Sequence, residues 1–204
     1  MTLTASRPQS PEASVIQRNL PNLITFFRIA LIPALIVLLT QAGPAEALLA
    51  TLTFHIACWS DFLDGYLARR WNISTTVGKL LDPLADKMIV AAALIMLAAL
   101  DRHPSVPAWM VVVIIGRETA VTGLRAVALG QGLVVAAEEL GKYKTIFQMF
   151  ALHGLLLHYS FLGVEWFTAG MYFLWLALIL GLWSGIDIHI KVIRQLTSSA
   201  VRAS

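Results

Sequence analysis

Apolar residues in this chain come in long blocks. A helix needs ~20 mostly apolar residues to cross the hydrocarbon core of a bilayer. Six such stretches follow one another: roughly Pro21–Thr40, Ala45–Trp71, Gly78–Leu100, Val106–Leu129, Leu140–Tyr159 and Trp166–Ile193. Pro33 lies inside the first stretch and, lacking an N–H, is expected to bend it. Trp109, Trp166, Trp175 and Tyr159 suit interface anchors where they fall near span ends. The first fourteen residues are polar and rich in Pro and Ser, with no short apolar core behind a basic start. They read as a flexible or surface-associated segment (1–18), with Val15 to Asn19 as a short surface helix before Pro21, and not as a removable signal. No internal repeat and no linker divides residues 19–204. The expected fold is an all-α integral membrane protein with six transmembrane helices.

The basic residues test that layout independently. The loops after spans 1, 3 and 5 (QAGPAE, DRHPSVP and SFLGVE) hold a single Lys or Arg, Arg102, of the fifteen in the chain. The others, among them Arg7, Arg18, Arg69, Arg70, Lys79, Lys142, Lys144, Lys191 and Arg194, fall on the opposite side or at helix ends facing it. Basic residues stay on the cytoplasmic side, so both termini are expected there. Composition agrees: 58% of residues are apolar and 13% charged, against ~25% charged in an ordinary soluble domain. The lone cysteine, Cys58, excludes an internal disulfide framework and a four-thiol metal site. The net charge of +3 lies beside apolar runs and not on one solvated face, so a nucleic-acid partner is not expected.

Against this background the carboxylates stand out, because ionisable groups in spans are costly and by default mark function. Asp61 and Asp64, three residues apart, fall near the end of span 2; Asp82 and Asp86, four apart, fall near the start of span 3. Each spacing puts both acids on one helix face. A short turn, about Asn72–Val77, lets all four converge at one depth. Four ionised carboxylates in low dielectric need either protons or cations. With no His or Cys among them, the donor set suits Mg²⁺, Mn²⁺ or Ca²⁺. Two such ions would stabilise the attacking and leaving oxygens of a phosphoryl transfer. The bland alternative is a solvated loop in which these acids pair with Arg69, Arg70, Lys79 and Lys87. Gly65, Ala68 and Gly78 allow a ligand or backbone to come close to the acids, though small residues also serve helix packing in membranes. Pro83 leaves the Lys79 carbonyl without its helical partner, open to ligand, metal or water.

A second group is cationic. Arg117 and Arg125 stand two turns apart on span 4, and Lys142 and Lys144 open span 5 on the same side. A membrane-facing Arg needs an anion or a protein partner, and Glu118, Glu138 and Glu139 are available as partners. Several cations beside an acidic metal site fit a phosphorylated acceptor, and glycerol 3-phosphate meets that description. The histidines, including His55, His153 and His158, lack metal-ligand spacing and read as structural, and Cys58 as a small buried residue. Asp187 is expected to pair with Lys191.

The run from Asp61 to Asp86 resembles the signature of the CDP-alcohol phosphotransferases, D-x2-D-G-x2-A-R-x8-G-x3-D-x3-D. Asp61, Asp64, Gly65, Ala68, Arg69, Gly78, Asp82 and Asp86 fill every fixed position. The resemblance implies that Asp61, Asp64, Asp82 and Asp86 hold two divalent ions, Mg²⁺ or Mn²⁺, with Asp86 also the general base. It implies that Gly65 and Ala68 line the cytidine pocket, that Arg69 meets the diphosphate, and that Gly78 lies against the same donor. Further segments are similar to one branch of the family: Pro21-Asn22 through Arg28, with Asn22 at the CDP moiety; Arg69-Arg70-Trp71-Asn72; Gly116-Arg117-Glu118 with Thr122-Gly123-Leu124-Arg125; and Gly141-Lys142 through Gln148. Thr122 stands where Ser is common in that branch, a mild departure. The branch implies transfer of a phosphatidyl group from CDP-diacylglycerol to glycerol 3-phosphate, giving phosphatidylglycerophosphate and CMP. It further implies a homodimer in the cell's inner membrane with the site facing the cytoplasm. Phosphatidylglycerol, an inositol phosphate or serine remain alternative acceptors. An ion-coupled transporter is the rival from another class; the one-sided acids and missing repeat argue against it.

Overall fold

The computed structural model describes residues 15–41, 43–71, 76–131 and 139–203, with side chains described over 23–41, 43–63, 84–131 and 140–195. Six helices run through these residues: α1 (Val15–Thr40), α2 (Pro44–Trp71), α3 (Thr76–Ala99), α4 (Ala108–Gly130), α5 (Glu139–Leu157) and α6 (Trp166–Ala203). Each coincides with one of the six apolar stretches. Two helices extend past the apolar runs, α1 at its start and α6 at its end. α1 continues from Val15 through both Pro21 and Pro33, so the separate surface helix before Pro21 is not seen. Each proline forfeits one ladder bond, and the rest of the helix keeps its own. The segment 1–14, expected to be flexible or surface-associated, lies outside the described residues.

α5 and α6 form the most extensive helix pair, and α1 packs on both α2 and α3. The α5–α6 approach rests on two glycines. A Cβ at Gly154 would fall 2.7 Å from the Trp166 carbonyl oxygen, and one at Gly170 would fall 2.7 Å from the Leu155 nitrogen. Small residues at such a seam let backbones touch. α2 is tied to α5 by His55 Nδ1 and His153 Nε2, 3.0 Å apart. His153 Nδ1–H donates to the Met149 carbonyl (2.7 Å), so its Nε2 accepts from His55. These histidines are structural, as their spacing implied. Cys58 is half-buried, with its thiol 3.8 Å from the Met149 sulfur. Between α5 and α6 the chain forms a hairpin, β1 (Ser160–Phe161) and β2 (Val164–Glu165), antiparallel, where only a loop was expected. Its turn is Leu162-Gly163, both at positive φ.

The main core gathers Leu35, Leu39, Phe54, Ile89, Leu94, Met110, Leu152, Leu155 and Leu174 from all six helices. The outside is also apolar: Phe62, Val112, Trp183 and Ile186 are each more than half exposed. A surface of that kind fits a hydrocarbon surround better than water. α1 over Leu23–Thr40 and α6 over Trp166–Gln195 are long and apolar enough to cross a membrane. Of the expected anchors, Trp109 and Trp175 lie against each other with ring centroids 5.6 Å apart.

Gly154→Ala is expected to destabilise the purified protein by about 1–3 kcal/mol through overpacking, read as a lower melting temperature in detergent. Gly123→Ala, which meets nothing within 4 Å, is expected to leave stability unchanged or raise it by up to ~1 kcal/mol.

Candidate active site

The acidic half of the site is built where α2 and α3 face α1. Asp61 lies on α2 and Asp86 on α3, and their charges are close enough to act on one another. Arg28 of α1 reaches between them. Its Nη1 lies 2.7 Å from Asp61 Oδ1, and its side chain is 1% exposed against 44% for Asp61. The same guanidinium acts electrostatically on Asp86. Thr25, one helical turn before Arg28, is also fully buried. Sequence reasoning placed Arg28 in the first-span motif but gave it no role. The signal was present, since an arginine in the middle of an apolar span is itself an anomaly.

Asp64, Gly65, Ala68 and Arg69 belong to the last turns of α2, and Gly78 and Asp82 to the first turns of α3. Their side chains, like that of Asn22 on α1, lie outside the described residues. So does the turn joining α2 to α3. Of the four acids expected to converge, Asp61 and Asp86 are therefore the pair whose meeting can be stated. Among the described residues no cluster of three or more His, Cys, Asp and Glu side chains forms. The expected donors at this end are carboxylates, with the Cys58 thiol one turn before Asp61 on α2 and close enough to feel both acids; a carboxylate set suits a hard, oxygen-preferring cation.

The cationic half lies against it. Arg117 and Arg125 project from α4 and Lys142 and Lys144 from α5, and all four line one cavity of about 470 Å³. Lys87 of α3, next to Asp86, lines it too. Among the described residues, five cations against the one carboxylate of Glu118 leave four positive charges in excess on its walls. A second cavity, about 240 Å³, is lined by Asp86 and shares Lys87, Glu118, Lys144 and Thr145 with the first. The cavity of the α3 acid and the cavity of the α4 and α5 cations thus adjoin, with these four residues in the wall of both.

The cations are not equivalent. Arg117 is committed to the protein: its Nε donates to the Gly181 carbonyl (2.8 Å), its Nη1 to Glu118 (3.0 Å) and its Nη2 to the Ser184 hydroxyl (3.0 Å). Lys144, buried, donates to the same Glu118 oxygen. The partner anticipated among Glu118, Glu138 and Glu139 is thus Glu118, which holds Arg117 and Lys144 together. By contrast, Arg125 has a buried Nε with no hydrogen-bond partner, and the Lys142 side chain is exposed. The α6 contribution was missed in the sequence. Gly181, Ser184 and Gly185 make room there: a Cβ at Gly185 would meet Arg117 Nε at 3.2 Å. The expected Asp187–Lys191 pair forms further along α6, at 2.8 Å.

A helical bundle with an apolar exterior, an acid pair answered by a buried arginine and an adjoining cation-lined cavity defines a membrane-associated protein built to handle anionic headgroups. Residues 18–183 match the family described as CDP-alcohol phosphatidyltransferase, and the chain belongs to that family. It is 49% identical over 152 residues to a Bacillus subtilis protein named CDP-diacylglycerol–glycerol-3-phosphate 3-phosphatidyltransferase, covering 69% of this chain and 77% of that one. Proteins of the same name from Rickettsia prowazekii and Haemophilus influenzae are each 37% identical, over 83% of this chain and 93% and 90% of theirs.

In a double-mutant cycle, Arg28→Met and Asp61→Asn are expected to show a coupling of about 1–3 kcal/mol in thermal stability. Additive losses in melting temperature would mean that the two side chains do not support each other.

Proposed function

We propose that this chain is the enzyme that transfers a phosphatidyl group from CDP-diacylglycerol to glycerol 3-phosphate, releasing CMP and phosphatidylglycerophosphate. The observation that carries this reading is a pair of adjoining cavities that share Lys87, Glu118, Lys144 and Thr145, one bordered by Asp86 and the other by an excess of cations. Relatives named for this reaction support it over most of the chain's length. In the proposed arrangement the acyl chains of the donor stay in the bilayer, and the CDP head enters beside Asn22, Gly65, Ala68, Arg69 and Gly78. Glycerol 3-phosphate enters the larger cavity, its phosphate facing Arg125, Lys142 and Lys144. Arg117 adds charge there, while its hydrogen bonds keep α4 on α6 and hold Glu118 in place.

Asp86 accepts the proton of the acceptor's sn-1 hydroxyl as the oxygen bonds to the phosphatidyl phosphorus. The bond from that phosphorus to the CMP oxygen breaks, and CMP departs with the electron pair. A base of this kind must reach the hydroxyl directly or through one water, and Asp86 borders the cavity that adjoins the acceptor's. Arg28, bound to Asp61, limits the repulsion between the acids. Asp61, Asp64, Asp82 and Asp86 are the residues that would hold divalent ions, Mg²⁺ or Mn²⁺. When bound, such ions supply neutralisation of the diphosphate charge and polarisation of the reacting phosphorus. We further read the six helices as six spans of the cell membrane, with both termini and the site on the cytoplasmic side, residues 1–18 as a segment outside the bundle, and the working unit as a homodimer.

Asp61→Ala and Asp86→Ala are each expected to abolish CMP release, and normal turnover by either purified variant would reject the site. Lys142→Ala is expected to raise the KM for glycerol 3-phosphate about 10-fold or more, as befits a lost charge-assisted contact, with a smaller effect on CDP-diacylglycerol. Offering glycerol 3-phosphate, phosphatidylglycerol, an inositol phosphate and serine in turn, with and without Mg²⁺, tests the acceptor and the ion together. CMP release dependent on another acceptor would overturn the assignment.

A further inference from the structure

Two cations line both cavities, Lys87 and Lys144, and of these Lys144 is committed to Glu118. Lys87 follows Asp86 directly on α3, yet it lines the acceptor cavity as well as the cavity that Asp86 borders. Its ammonium group donates to the Thr122 hydroxyl oxygen across the α3–α4 interface. Thr122 spends its own proton on the Glu118 carbonyl (2.7 Å), so its oxygen faces Lys87 purely as an acceptor. This arrangement fixes the ammonium at the junction. An ammonium carries three donors, and Thr122 takes one. The Lys87 charge acts on Asp86 and on Lys144, and the guanidinium charges of Arg117 and Arg125 act on Lys87. Asp86, its neighbour in the chain, offsets part of this field, and an anion from outside the protein would offset the rest.

We propose that Lys87, held by Thr122, is a specificity-determining residue: it binds the phosphate of the acceptor and brings its hydroxyl to Asp86, so that a phosphorylated acceptor is used and a neutral alcohol is not. The proposal rests on the glycerol 3-phosphate reading above. Arg125, Lys142 and Lys144 attract the phosphate into the larger cavity, and Lys87, in the wall of both cavities, sets how near to Asp86 it comes. Thr122 is a positioning residue acting through Lys87.

The test uses the full-length purified enzyme in detergent with Mg²⁺, measuring CMP release against glycerol 3-phosphate and against glycerol. Binding of radiolabelled glycerol 3-phosphate is followed separately by equilibrium dialysis, and gel filtration checks folding. Lys87→Met is expected to raise the KM for glycerol 3-phosphate and weaken its binding about 10- to 100-fold, the cost of one charged hydrogen bond. The KM for CDP-diacylglycerol should stay within about 2-fold, and the preference for glycerol 3-phosphate over glycerol should shrink by the acceptor factor. Lys87→Arg should restore part of the loss, and Thr122→Val should show a smaller loss of the same kind. Acceptor binding by Lys87→Met within 2-fold of wild type would overturn the proposal. So would an equal rise in the donor KM, which would put Lys87 on the diphosphate instead. If the variant does not fold, Thr122→Val with unchanged acceptor preference overturns it. A wild-type enzyme that neither binds nor uses glycerol 3-phosphate would instead sink the underlying reading, and this assignment with it.

Discussion

A charge inside an apolar bundle must be answered by another charge or by a ligand, and this one requirement organises the whole molecule. A buried ion left alone costs several kcal/mol after every relaxation the protein can make. Arg28, buried on α1, is answered by Asp61 of α2. Arg117 and Lys144 are answered by Glu118, and α6 supplies a carbonyl and a hydroxyl for the remaining donors. These contacts join α1 to α2, α4 to α5 and α4 to α6, so the charges that serve chemistry also fix how the helices stand. The apolar core supplies cohesion without direction, since lipid would suit its leucines nearly as well.

The internal pairs also divide the work among the cations. Arg117 has the strongest apparent claim from sequence, as part of a motif, yet its guanidinium is spent on α6 and Glu118. Arg125 keeps a buried nitrogen without a partner, and Lys142 stays exposed at the mouth of the cavity. The protein therefore uses one arginine to build the wall and leaves others to meet what enters. Planar forks suit rigid multi-point attachment, whereas ammonium groups act as adjustable point charges. A substrate phosphate that must move toward the acids is better served by the second kind.

Helix number and extent were legible in the sequence because the bilayer requirement acts on length and composition, which are local properties. The nearness of Asp61 and Asp86 was legible for a related reason: they fall at the facing ends of two successive helices, which local sequence alone locates. Contacts between helices distant in the chain were not legible. Nothing local to Gly181, Ser184 and Gly185 says that Arg117 will lie on them, and nothing near His55 says that His153 is its partner. The hairpin at 160–165 was missed because two-residue strands carry no alternation to detect, although Gly163 marked the turn. Arg28 is the instructive omission. It was visible as a charge in a span, but its meaning depended on which acid it would reach, and only packing decides that.

The same accounting separates the competing functions. A carrier coupling ions through its acids needs a site whose charge is balanced by those ions alone. Here, among the described residues, cations on α3, α4 and α5 outnumber the one carboxylate beside them, and two of them, Lys87 and Lys144, also line the cavity of the α3 acid. Divalent ions at the acids would add to this positive field. The entering molecule must therefore bring several negative charges and place them on both sides of Asp86. A neutral or zwitterionic acceptor such as serine supplies too few for the cationic side. A diphosphate-linked lipid on one side and a phosphomonoester on the other meet the requirement together. With both present, the site approaches neutrality only when both substrates are in place, which favours their joint occupancy before any bond is exchanged.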